Sequence, residues 1–319
     1  MMIFRIMNPN TFVSQTNQNF LTMKKLLAGA FALMAVTVGF AQDNHDETTQ
    51  LGNFNKAKVD QHGKQNSNNI KQDGNSNNAK VSQYGQYNSN KTMSVGNKND
   101  ELVYQSGKSN SNDTWQLGNR NDATTKQYGE FNKVNQKQKG DDNSVYALQC
   151  GKRNEITQNQ NGDDNNASSE QYGNDNKAAQ SQKGYDNNAS SWQNGARNVV
   201  SQNQNGDGNS AKGTQVGYDN KISQTQTGDF NKAIAYQIGD RNSIKETQLG
   251  NKNYANDFQD GCDNDIVVKQ IGNLHDHVGI QVGNSNSQNI LQESGNSNGG
   301  ACCTPLMPDP KCPTNSGGC

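Results

Sequence analysis

The sequence predicts an all-β chain: a β-solenoid of about 11 strand-turn-strand rungs, with 22 residues per rung in two parallel in-register sheets. Three observations predict it. Glycine recurs every eleven residues without a slip from Gly52 to Gly283, which makes 22 positions. Gln stands two residues before that Gly in 21 of the 22 and Asn three residues after it in 21 of the 22; Ser94 and His275 are the exceptions. Only 29% of residues are hydrophobic and the mean hydropathy is -1.08, which excludes a conventional core, yet a disordered chain has no reason to hold a register.

In chain order, the first feature is Met23-Lys24-Lys25, a basic start to the apolar run Leu26 to Phe40, which ends Gly39-Phe40-Ala41-Gln42. This reads as a secretory signal cut after Ala41, with Met23 as initiator and residues 1–22 as an upstream extension. The run of about 15 residues is short for a membrane span, so no integral membrane protein is expected. Residues 42–49 are a short N-terminal segment, residues 50–298 the repeat, and residues 299–319 a tail rich in Cys and Pro.

The register glycines are Gly52, Gly63, Gly74, Gly85, Gly96, Gly107, Gly118, Gly129, Gly140, Gly151 and Gly162, then Gly173, Gly184, Gly195, Gly206, Gly217, Gly228, Gly239, Gly250, Gly261, Gly272 and Gly283. Eleven-residue helical repeats exist, but Gly in a helix costs roughly 1 kcal/mol against Ala, and a cost repeated in every unit rules the helix out. The β reading works position by position. With Gly as position zero, alternation sends +3, +5, +7 and +9 inward and +4, +6 and +8 outward, and leaves the four residues around Gly as a turn.

Position +5 shows that the rung is two units long. Alternate units carry Ala57, Ala79, Glu101, Ala123, Val145, Ala167, Ala189, Ala211, Ala233, Ala255 and His277, and the intervening ones carry Asn68, Asn90, Asn112, Val134, Ile156, Ala178, Val200, Ile222, Ile244, Ile266 and Gln288. Small residues on one strand then face large ones on the other, and a narrow core fills without voids. The predicted stack rises about 4.8 Å per rung, or roughly 50 Å in all.

The inward amides are the candidate functional residues. They are expected to form ladders in which each side chain bonds to its copy one rung away, so that a polar core is satisfied by repetition. The first ladder members are Gln50, Asn55, Gln61, Asn66, Gln72, Asn77, Gln83, Asn88, Gln105, Asn110, Gln116, Asn121, Gln127, Asn132, Gln138 and Asn143. The series continues through Gln149, Asn154, Gln160, Asn165, Gln171, Asn176, Gln182, Asn187, Gln193, Asn198, Gln204, Asn209, Gln215 and Asn220. It ends with Gln226, Asn231, Gln237, Asn242, Gln248, Asn253, Gln259, Asn264, Gln270, Gln281 and Asn286.

The pattern Gln50-Leu51-Gly52-Asn53-Phe54-Asn55-Lys56-Ala57-Lys58-Val59-Asp60-Gln61 resembles the curlin repeat of bacterial curli fibre subunits, and the likeness covers Gln50 to about Asn298. The resemblance implies a secreted functional-amyloid subunit with a cross-β fibre structure in the biofilm matrix. It further implies export through an outer-membrane secretion pore and nucleation by a minor subunit. Three departures stand out: Asn opens both strands where the family usually has Ser, the rungs outnumber those of the best-known members, and only Gln42 to Thr49 precede the first repeat.

Three inward acids, Glu101, Glu246 and Asp257, break the pattern and are candidate gatekeepers that slow premature assembly. His275 and His277 share a face, but no third ligand stands near them, so no metal site is assigned. No catalytic set or phosphate loop can be defended, so neither an enzyme nor a cofactor is expected. The net charge of -1 gives no basic footprint for nucleic acid and favours self-association. The tail holds Cys302, Cys303, Cys312 and Cys319, which suggest disulfides in an extracellular setting. Cys150 and Cys262, at roughly 24 Å apart in a rigid stack, cannot bond to each other. An outward stripe at +8, with Tyr104, Leu148, Trp192, Tyr236 and Ile280, is a candidate lateral contact. The alternative to a fibre subunit is a monomeric solenoid that binds ice or polysaccharide through a flat face.

Overall fold

Alternation of inward and outward residues with a turn every eleventh residue leaves the chain one economical solution, which is to wind. The computed structural model describes residues 4–8, 11–15 and 43–293. Met23 to Ala41, the expected signal segment, and residues 299–319 lie outside the described residues, as do the four tail cysteines. The described residues are all-β and contain no helix, hence none long and apolar enough to cross a membrane. Among them are about 11 solenoid turns of about 22 residues each.

The chain divides into two compact units, one through Lys152 and one from Arg153. In the first, Asn44–Leu51, Ser67–Asn75, Ser89–Asn97, Ser111–Leu117 and Lys133–Lys139 make one parallel sheet. Lys56–Lys64, Asn78–Gln86, Asp100–Lys108, Asp122–Glu130 and Ser144–Lys152 make the other. The second unit repeats the plan, from Glu155–Asn161 to Ser287–Glu293 in one sheet and from Asn166–Asn174 to Asp276–Val282 in the other. Within each unit every strand pairs with the strand two places along, in a register of 22 residues, as Ala57↔Ala79 and Ile222↔Ile244 show.

The first strand, Asn44–Leu51, belongs to the winding although it precedes the first complete repeat. Asn44, Asp46 and Thr48 are buried on its inner face. Its outer edge carries Thr11–Gln15 in parallel, which in turn pairs antiparallel with Phe4–Asn8.

The core is as narrow as expected. Ala57, Ile70, Ala79, Val81 and Val103 form the apolar cluster of the first unit, with Val59 at its margin. Val200, Ile222, Ala235, Ile244, Ala255, Ile266 and Val268 form that of the second, with Ile290 at its margin. Small-against-large packing is visible at Gly213, where an added Cβ would lie 3.2 Å from Val200 Cγ1 and 3.5 Å from Ile222 Cγ2.

The turns add something that the repeat did not announce. The residue two after each register Gly is left-handed whatever its type, with φ 59° at Phe54, 57° at Lys252 and 62° at Leu274. Only Gly208 supplies a glycine at this position. L-residues pay about 1–2 kcal/mol for that conformation, so the stacked turns must over-determine it.

Candidate assembly ladders

Each Gln of the register lies on an inner face near its strand end, where the two sheets approach. Its amide nitrogen donates twice. Gln215 Nε2 donates to Gln237 Oε1 at 2.9 Å, one rung on, and to the carbonyl of Val199 in the opposing sheet at 3.1 Å. Its own Oε1 accepts from Gln193 at 2.9 Å. The same geometry carries Gln61 through Gln83, Gln105 and Gln127 to Gln149 in the first unit. In the second unit it runs from Gln171 to Gln281 and from Gln160 to Gln226, Gln248, Gln270 and Gln292. The ladder therefore stitches rung to rung and sheet to sheet with one functional group. Ser94 is the gap in this order: its hydroxyl reaches Gln116 Oε1 at 3.0 Å, but it offers no amide.

The Asn column forms the expected ladder and performs a second task besides. Asn55 Oδ1 accepts from the backbone N–H of Asn77 at 3.0 Å, and Asn55 Nδ2 donates to the Gly74 carbonyl at 2.9 Å. Side-chain to side-chain contact is present as well, Asn77 Nδ2 to Asn55 Oδ1 at 3.2 Å, but most of the amide's bonding holds turn backbone to turn backbone. Asn99 continues the column. A second amide set at +7 runs Gln158, Gln180, Gln202, Gln224 and ends on Glu246 Oε2 at 2.7 Å.

Gln215→Leu tests the ladder. The substitution strands one N–H of Gln193, the Oε1 of Gln237 and the Val199 carbonyl, each worth about 1–3 kcal/mol when left unpaired in a buried site. The expected net loss is about 2–4 kcal/mol, read as faster hydrogen exchange in Ser210–Tyr218 and its neighbours. Unchanged protection would mean that the amides are spectators.

The candidate gatekeepers are all buried, Glu101 at 3%, Glu246 at 1% and Asp257 at 0% exposure. Glu101 Oε1 accepts from Thr92 Oγ1 at 2.9 Å, while Oε2 has no partner. Burial pushes its carboxyl up to about 8, against smaller opposing contributions from Thr92, Thr114 and Asn112. Glu246 is raised well above the ordinary range by burial and then by the neighbouring Asp257 carboxyl. Glu246 Oε1 and Asp257 Oδ2 lack hydrogen-bond partners, and a proton held by Glu246 would supply a donor in this buried site. Asp257 Oδ1 meets His277 Nε2 at 3.0 Å, and Gly279 leaves the room, since a Cβ there would lie 2.3 Å from that oxygen.

His275 and His277 have separate partners: His275 Nε2 contacts the Ile271 carbonyl at 2.9 Å. Among the described residues no group of three or more His, Cys, Asp or Glu is placed to hold a metal ion. Cys150 and Cys262 are both disulfide-bonded.

On the +8 stripe, Tyr236 and Ile280 are exposed. Tyr236 stacks on Phe258 at 5.6 Å, and Trp192 tilts against Tyr172 at 6.2 Å. Sequence reasoning missed a charged column on the turns. Arg153 pairs with Asp175, Arg197 with Asp219 and Arg241 with Asp263, each bidentate at 2.6–2.8 Å and each one rung apart. The signal was available in the alternation of Arg and Asp every 22 residues. Such exposed pairs add little stability singly, but they fix rung register from outside.

No protein-family model matches the chain, and no curated protein matches it.

Proposed function

We propose that this chain is a secreted structural subunit that polymerises head to tail into extracellular, curli-like amyloid fibres of a biofilm matrix. Its role is adhesive and cohesive rather than catalytic. One observation carries the reading: the last described strand presents ladder amides at an edge that no further described strand takes up. Among the described residues Ser287–Glu293 pairs only with Asp265–Ile271, and its inner residues Gln288, Ile290 and Gln292 are half-buried. An open parallel edge with amides in ladder register is a template for another strand, and a heterologous contact that does not close on itself builds a filament.

The partners that follow are further copies of the chain, with a nucleating minor subunit and an outer-membrane secretion pore by the curli resemblance; nucleic acid is not among them. The test is assembly of the chain from Gln42 onward, followed by an amyloid dye with and without seeds, and fibre diffraction. Seedable fibres with reflections near ~4.7 Å and ~10 Å are expected. A soluble monomer that stays unassembled at high concentration would instead favour a solitary solenoid that binds ice or polysaccharide.

A further inference from the structure

The two ends of the winding carry residues found nowhere else in it. All 4 histidines, His45, His62, His275 and His277, lie in the first two or last two solenoid strands or one residue outside them. The apolar side chains Leu274, Val278, Ile280, Val282 and Leu291 are all exposed, on the turn and outward face of the last strands.

We propose that a second copy of this chain joins by continuing the winding. Asn44–Leu51 of one copy adds to the edge of Asp276–Val282 of the other, and Lys56–Lys64 adds to Ser287–Glu293. This rests on the polymer reading above and specifies its joint. The placement follows from the pairing rule of each unit, in which a strand always adds to the strand two before it. The strand that follows Ser287–Glu293 must therefore sit on Asp276–Val282.

In that register Asp46 of the incoming copy lies beside His277, His45 beside Asp276, and His62 beside Glu293. Gln50 continues the ladder of Gln281, Gln61 that of Gln292, and Gly52 stacks on Gly283. Val59 meets Ile290, each the half-buried residue at the margin of its own core cluster. The alternative docking, Asn44–Leu51 on Ser287–Glu293, sets Ile290 against Thr48 and Asp46 against Gln288. It also leaves His277 beside no acid of the incoming copy. Charge and apolar matching thus favour the same register independently.

His277 already faces Asp257 at 3.0 Å, with Glu246 behind it. Asp46 accepts from Asn68 at 2.6 Å and from Thr48 at 3.4 Å, with His45 and Glu47 alongside. In the full chain Thr11–Gln15 occupies the edge that the joint needs. Cleavage after Ala41 would remove that strand and open the edge.

The test is cross-link mapping in fibres of the chain from Gln42 onward, mixed from isotopically light and heavy copies. Lys58 and Asn289 are exposed, outward-facing positions, so Lys58→Cys with Asn289→Cys leaves the core untouched. Adjacent strands at about 4.8 Å place the two within disulfide reach. A heavy–light peptide joined through the two introduced cysteines, as the dominant new link, is the expected result. In a second variant, Glu47→Cys with Asn289→Cys, a dominant link between the introduced pair would overturn the register, as would fibres that form with neither link. In unsubstituted fibres, solid-state NMR contacts between Ile290 and Val59 of differently labelled copies give a second reading, and Ile290–Thr48 contacts would overturn the proposal. If the unsubstituted chain forms no fibres, the polymer reading fails with it, a result separable from a wrong register.

Discussion

Gly217→Ala is expected to break the solenoid locally, at a cost of about 3 kcal/mol or more, whereas Gly213→Ala, four residues earlier on the same strand, should cost much less. The two glycines do different jobs. Gly217 has φ 117°, and a Cβ there would stand 2.0 Å from the Gly239 carbonyl oxygen of the next rung. That oxygen is backbone and is already held by Asn220 Nδ2 at 2.6 Å, so it cannot retreat without opening the turn ladder. Gly213 has ordinary backbone, and its added Cβ meets only side chains at 3.2 Å and beyond, so Val200 must shift by a few tenths of an ångström while the backbone stays in place. Hydrogen exchange of Ser210–Tyr218 and Lys232–Asp240 measures both. Equal protection in the two variants would show that the turns tolerate a side chain and that the glycine register has another cause.

The second large effect is with pH. The Glu101 carboxyl sits at about 8 in the folded chain against 4.5 for an ordinary glutamate. Below the lower value both states hold the proton and the stabilisation is fully present. Between the two the unfolded chain is ionised and the folded chain is not, so stability falls by about 1.4 kcal/mol per pH unit. Above the upper value it has been lost, to a total on the order of 5 kcal/mol. Burial raises Asp46 and Glu246 as well, so they act in the same direction. The solenoid should therefore be more resistant to denaturant at pH 5 than at pH 8. Glu101→Gln should flatten that slope, because the amide keeps an acceptor for Thr92 and has no proton to lose. A profile that instead rises from pH 5 to 8 would contradict the buried-acid account. Slow assembly above pH 7 would also give the gatekeeper idea a mechanism, since an ionised acid must take up a proton before its rung can close.

Much of the fold was legible because the constraint is repeated. Gln two before Gly, Asn three after it and apolar residues at +5 each recur often enough to determine period, strand, turn and inner face without a structure. The rung of two units was legible from Ala211, Ala233 and Ala255 alternating with Ile222 and Ile244. Less legible were groups whose role depends on a neighbour 16 or 19 residues away. That Gln215 bonds to the Val199 carbonyl across the core, and that Asn55 grips the Gly74 carbonyl, are facts of how two sheets and successive turns meet. The Asn column was expected as side chain on side chain, and it serves the turn backbone at least as much.

The end of the winding shows the same division. By itself the sequence determined that His275, His277 and Asp257 face inward, because alternation alone assigns the face of a strand residue. Only the tertiary structure decided that His277 meets Asp257 and that Asp257 shares its burial with Glu246 from the opposite sheet. Only there does it emerge that Gly279 is small so that an acid can fit. Periodicity is a property of one chain direction and can be counted along it. Contact between two sheets depends on distances across a core, and those are set by packing rather than by order along the chain.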